Sequence, residues 1–62
     1  MGKMWKAAEA YNCRGLPGHI NIHQGEKVEE LEPDDNGWTK VKTNEGEEGL
    51  VPTDCLAIGK SP

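Results

Sequence analysis

The 62-residue sequence predicts an all-β fold, a small five-stranded barrel made of two orthogonally packed antiparallel sheets. Three observations carry that expectation. Residues 38–43 (Trp38, Thr39, Lys40, Val41, Lys42, Thr43) alternate large and polar side chains, the period-two pattern of a strand with one buried face. Asn44, Glu45 and Gly46 then supply turn chemistry, and Gly49-Leu50-Val51 resumes extended structure up to Pro52, so two short antiparallel strands are the economical reading. Finally, no window shows apolar residues at three-and-four spacing, and eight glycines and four prolines are scattered through the chain.

The remaining elements follow from the punctuation. Residues 7–12 read as a first strand, and Arg14-Gly15-Leu16-Pro17-Gly18 as a loop. Ile20 to Ile22 begin a second extended piece, and Gln24-Gly25-Glu26 turns. Residues 27–32 alternate again through Val28, with Leu31 out of phase, before Pro33-Asp34-Asp35-Asn36-Gly37 turns into Trp38. After Pro52, Thr53-Asp54-Cys55 is expected to make one tight turn, and Leu56-Ala57-Ile58 to close the sheet. The expected organisation is an N-terminal extension or cloning remnant over 1–4, one domain over 5–58, and a tail over 59–62 whose Ser61-Pro62 looks like the start of a linker.

Composition excludes several function classes. The net charge is −4, with Glu29, Glu30, Glu32, Asp34 and Asp35 in one acidic group and Glu45, Glu47 and Glu48 in another. The seven Lys and Arg residues are dispersed, which argues against nucleic-acid binding through the phosphate backbone. No stretch approaches the roughly 20 apolar residues of a membrane span, so direct membrane insertion is not expected. Gly2 is not read as a myristoylation site, because Lys6 stands where that pattern needs Ser or Thr.

Cys13 and Cys55 lack the two-residue spacing of zinc knuckles and redox motifs, and are read as free thiols of a reducing compartment, ahead of a disulfide or a metal site. His19 and His23 flank Ile20-Asn21-Ile22, and on a strand they share a face with Asn21, opposite the isoleucines, as solvent-facing positions. No Ser or Thr lies in a nucleophile-and-base pattern, and so small a domain has little interior for a pocket. No catalytic residue, metal or cofactor is expected.

In their order along the chain these features resemble the Src-homology-3 (SH3) domain. The resemblance rests on a first strand containing Ala and Tyr, His19-Ile20-Asn21-Ile22 followed by Gln24-Gly25-Glu26, an acidic loop entering Gly37-Trp38, Gly49-Leu50-Val51-Pro52, and a final Leu56-Ala57-Ile58. It implies a binding module for proline-rich segments. Such segments are already extended as polyproline II helices, so little ordering entropy is lost when their ridges slot between aromatic rings.

In that family two tyrosines near the first strand, a tryptophan opening the middle strand, the proline before the connector and a tyrosine within it line the groove. Trp38 and Pro52 match. The connector tyrosine is replaced by Cys55, beside Asp54, and the first strand reads Ala7-Ala8-Glu9-Ala10-Tyr11-Asn12-Cys13, with one tyrosine instead of two. Placing Tyr11 at the second family tyrosine puts Ala7 in the core and Glu9 at the first tyrosine. Placing it at the first puts Cys13 at the second and drops Glu9 onto a core position, where a charge is costly, so the former register is favoured. The first loop carries no acid, which leaves Asp34 and Asp35 to pair with basic flanks of a ligand.

The resemblance therefore implies a groove of Tyr11, Asp34, Asp35, Trp38, Pro52, Asp54 and Cys55. The expected function is that of a non-catalytic interaction module in a larger signalling, cytoskeletal or trafficking protein of the cytoplasm or its membrane cortex. It would bind proline-rich peptides with altered or weakened specificity, as a monomeric domain. The alternative is a scaffold surface that packs on a folded partner, on another domain of its parent or on itself. A Tudor- or KOW-like barrel is disfavoured by the acidic charge and the lack of an aromatic cage.

Overall fold

The computed structural model describes residues 3–57. Five strands, β1 (Met4–Ala7), β2 (Lys27–Asp35), β3 (Trp38–Lys42), β4 (Glu48–Pro52) and β5 (Leu56–Ala57), form one antiparallel sheet in the order β4-β3-β2-β1-β5. A 3-10 turn, Thr53–Cys55, joins β4 to β5. The all-β class is as expected, but the ladder is continuous rather than divided into two sheets. No ladder between β4 and β5 closes it into a ring among the described residues. Ile58, expected in the last strand, and the tail over 59–62 lie outside the described residues.

β1 begins earlier than residue 7. Its residues pair with β2 on one side (Met4 with Glu29, Trp5 with Val28, Lys6 with Lys27) and with β5 on the other (Lys6 with Ala57, Ala7 with Leu56). It stops at Ala7 because the amides of Ala8 and Glu9 both turn to the Cys55 carbonyl, at 2.6 and 3.2 Å, which removes them from the ladder. Tyr11 and Ile22 form only an isolated bridge, so neither expected strand around them exists as such.

β2 reaches Asp35, three residues beyond its expected end. Asn36 and Gly37, with φ of 58° and 93°, make a two-residue turn in which both central residues are left-handed. Asn and Gly tolerate that conformation best, and its twist matches the flanking strands, so pairing persists up to Asp35 opposite Trp38. The register of β2 against β3 shifts between Glu30 and Glu32 and again between Glu32 and Asp35. These irregularities accommodate Pro33, which has no amide to donate, while Leu31, three residues from the buried Val28 and so on the opposite face, is 38% exposed.

The core consists of Ala7, Ile22, Val28, Val41, Val51, Cys55 and Leu56, with Trp5, Tyr11 and Ile20 packed against it. β3 buries Thr39 and Val41 and β4 buries Gly49 and Val51, so the alternation read in both strands is real. Trp5 also donates its indole N–H to Glu30 Oε1 at 2.7 Å, while Lys3 Nζ lies 5.2 Å from its ring centroid.

Ile22 is 1% exposed and is the largest of these fully buried side chains. Truncating it leaves a cavity worth about 2–5 kcal/mol, comparable to everything a core of this size supplies, about 3–5 kcal/mol. Ile22→Ala is therefore expected to leave the domain largely unfolded at room temperature, as read by amide dispersion and urea unfolding.

Candidate functional site

The site lies on the outward face of the β3–β4 hairpin. Trp38 stands directly opposite Pro52 and Lys40 opposite Leu50, four half-buried residues whose neighbours Thr39 and Val51 point inward. Residues 12–21 fold back over the edge of this face. The loop is held internally by Asn21 Oδ1 accepting the Cys13 amide at 2.8 Å, by Asn12 Oδ1 accepting the Arg14 amide at 2.9 Å, and by backbone bonds from Leu16 to Cys13 and from His19 to Leu16. It is held to β4 by the Leu50 amide donating to the Gly18 carbonyl at 2.8 Å and the Ile20 amide donating to the Leu50 carbonyl at 3.4 Å.

Gly49 permits that approach. A β-carbon there would sit 2.7 Å from Ile20 Cγ2 and 2.9 Å from the Gly18 carbonyl oxygen. Only a hydrogen fits between the strand and the loop.

This packing brings three rings together. Tyr11 and Trp38 have centroids 6.0 Å apart at 66°, and His19 and Trp38 4.6 Å apart at 83°, both edge-to-face arrangements. Tyr11 and His19 complete the set at 6.4 Å, with the Tyr11 hydroxyl 3.3 Å from His19 Nδ1.

Of the expected site residues, the structure joins Tyr11, Trp38 and Pro52 on this face. Ala7 is buried and Glu9 is exposed, in accord with the register that sets Tyr11 at the second tyrosine position. Asp35 is exposed opposite Trp38 in the β2–β3 pairing. Asp34 terminates a hydroxyl chain. Thr53 Oγ1 donates to Asp34 Oδ1 at 2.6 Å, so its one proton is engaged and the Thr39 hydroxyl must be the donor in the 2.6 Å contact with Thr53. The Thr53 amide also donates to the Gly37 carbonyl at 2.8 Å, tying the connector to the hairpin turn. Asp54 is exposed in the connector.

Cys55 departs from expectation. It is 8% exposed and belongs to the core, packing as a small apolar side chain. Burial pushes its thiol up from the ordinary range, with the Glu9 and Asp54 carboxylates adding to the effect. Cys13 is likewise a buried free thiol.

The residue that sequence reasoning missed is His19, read as solvent-facing and found half-buried against Trp38 and Tyr11. The available signal was Gly49, an isolated glycine inside a strand pattern, which marks close approach by another backbone. His23, by contrast, is exposed, with its amide bonded to Glu26 Oε1. Among the described residues, no group of three or more His, Cys, Asp or Glu side chains is placed to hold a metal ion, and no helix is long and apolar enough to cross a membrane.

Comparison with known proteins agrees with this architecture. A family model described as the SH3 domain matches residues 6–53. The C-terminal SH3 domain of myosin IB from Entamoeba histolytica is 28% identical, superposes with a TM-score of 0.80 and is matched over 92% of each chain. The same domain bound to an EhFP10(GEF) peptide is 27% identical over 90% of each chain, with a TM-score of 0.79. The SH3 domain of human KIAA0418 shares the fold, with a TM-score of 0.81 at 24% identity, over 100% of this chain and 75% of that one.

Gly49→Ala is expected to push the loop off β4, erase the ring-current shifts that His19 and Trp38 impose on each other in the proton spectrum, and lower stability by about 1–3 kcal/mol. Cys55 carries a pH signature of defined sign. The folded state keeps a proton that the unfolded state releases, so this stabilisation is complete below the ordinary thiol range and is lost as pH rises through the raised value. Between about pH 7 and 10, the urea midpoint is expected to fall more steeply for the wild type than for Cys55→Ala.

Proposed function

Because the chain belongs to the SH3 domain family, whose members are non-catalytic protein-interaction modules, we propose that its outward β3–β4 face binds an extended, proline-rich segment of a partner protein. The observation that carries this reading is the cross-strand pair of Trp38 and Pro52 with Tyr11 set edge-to-face against the indole. A polyproline II ridge needs such a surface: flat rings with gaps between them, already in place, so that neither side loses much freedom on docking. That a similar domain, of Entamoeba myosin IB, is seen with a peptide supports the same use here, and a cytoplasmic, cytoskeleton-associated parent protein is the context we propose.

The specificity is altered. Two family tyrosines are absent, Glu9 standing at one position and Cys55 at the other. If each ring contributes roughly 1–2 kcal/mol, their loss weakens a proline ligand by on the order of tenfold to a thousandfold. His19 returns one ring to the neighbourhood of Trp38, with centroids 4.6 Å apart. Asp34, fixed by Thr53, and Asp35 offer carboxylates to a basic flank on the hairpin side. The competing reading is a scaffold surface for a folded partner, another domain or a second copy, and the same two replacements favour it.

Heteronuclear NMR titration with a panel of proline-rich peptides separates the two. The expected result is shifts concentrated on Tyr11, His19, Trp38 and the Asp34-Asp35 segment, with affinity lowered about tenfold or more by Trp38→Ala while amide dispersion is retained. A folded domain whose ring residues stay silent at about millimolar peptide would overturn peptide binding in favour of a folded partner.

A further inference from the structure

The groove has two unlike sides. On the hairpin and connector side stand Asp34, Asp35 and Asp54, all exposed carboxylates. On the loop side, residues 12–23 contain no Asp or Glu at all, and their ionisable side chains are Cys13, Arg14, His19 and His23. Of the three that can carry positive charge, His19 alone touches the rings, 4.6 Å from Trp38 and within hydrogen-bond reach of the Tyr11 hydroxyl. Resting on the proline-segment reading above, we infer that His19 is a specificity-determining residue, and that the loop side of the groove selects a ligand bearing a carboxylate side chain beside its proline core.

The chemistry follows from the imidazole's position. One ring nitrogen, Nδ1, faces the Tyr11 hydroxyl. The other nitrogen of an imidazole so held can donate, and when the ring is protonated both donate and the group carries a full charge. A carboxylate reaching past the edge of Trp38 then meets a charge-assisted donor flanked by aromatic surface. A cationic ligand side chain meets no acid within residues 12–23 and has Arg14 on the same loop to contend with. Half-burial of His19 favours the interaction, since a partly desolvated pair is screened less than one in open water.

The elements around the ring carry charged and titratable groups of both signs, among them Glu9, exposed two residues before Tyr11. Tyr11 is the one in contact. On β3, Lys40 shares the outward face with Trp38, and its ammonium lies 3.9 Å from Glu32. On β4, Glu48 shares the outward face with Leu50, two residues from the point where His19 bridges the strand, and beyond β4 Asp54 stands in the connector. Arg14 and Cys13 complete the set on the loop, and His23 lies past the bridge of Tyr11 with Ile22.

The test is calorimetric titration of the whole domain with three peptides sharing one proline core and carrying Glu, Ala or Arg at the flank. The Glu peptide is expected to bind about fivefold tighter than the Ala peptide. His19→Gln is expected to abolish this preference while the Ala peptide still binds, and His23→Gln to leave the preference intact. Equal affinity for Glu and Ala peptides, or a preference that survives in His19→Gln, overturns the inference alone. Failure of all three peptides to bind the folded domain overturns it together with the proline-segment reading.

Discussion

The contact on which the rest of the site depends is the one between Gly49 and the backbone of residues 18–20. It is made of absence on one side and of main chain on the other. With no side chain at Gly49, the Gly18 carbonyl reaches the Leu50 amide and the loop lies flat on the strand edge. That brings Ile20 against the core and leaves His19, the adjacent residue, facing the indole of Trp38. One steric allowance thus fixes both a core contact and a ring contact, because neighbouring residues on extended backbone point to opposite sides.

Around that contact the domain is economical. Its core is built largely from valines and other small side chains, and no phenylalanine occurs in the sequence. What holds the outward face in shape is polar as much as apolar. The Thr39–Thr53–Asp34 chain runs from a buried hydroxyl to an exposed carboxylate, and the Thr53 amide bonds the hairpin turn. Asp34 is consequently oriented before any partner arrives, whereas Asp35, one residue on, is positioned by its place opposite Trp38 in the ladder.

Much of this was legible in the sequence wherever a strand has one wet and one dry face. The alternation through Trp38 and Val41, the Asn44-Glu45-Gly46 turn and the run to Pro52 all emerge as read, since side-chain period and turn chemistry are local properties. What sequence obscured was non-local. The first strand begins earlier than its pattern suggests because residues 4–6 owe their extension to pairing with β2, joined at Lys6 and Ala7 by β5. The run over residues 27–32 reads as ending before Pro33 because a proline ordinarily ends pairing, and only a register shift makes room for it. Cys55 reads as a groove residue by position, yet it packs in the core as a small apolar side chain. His19 reads as solvent-facing by alternation, which is blind to β4 on the other side of the histidine.

The seating of the loop on β4 also concerns the free edge of the sheet. β4 is the outermost strand beyond β3, and an edge strand carries unpaired amides and carbonyls that can template pairing with another chain. In this domain the Leu50 amide and carbonyl are both taken by the loop. The segment that brings His19 to Trp38 is therefore also the cover of an otherwise sticky border. Lifting it would separate two rings and, in the same motion, uncover a template for aggregation.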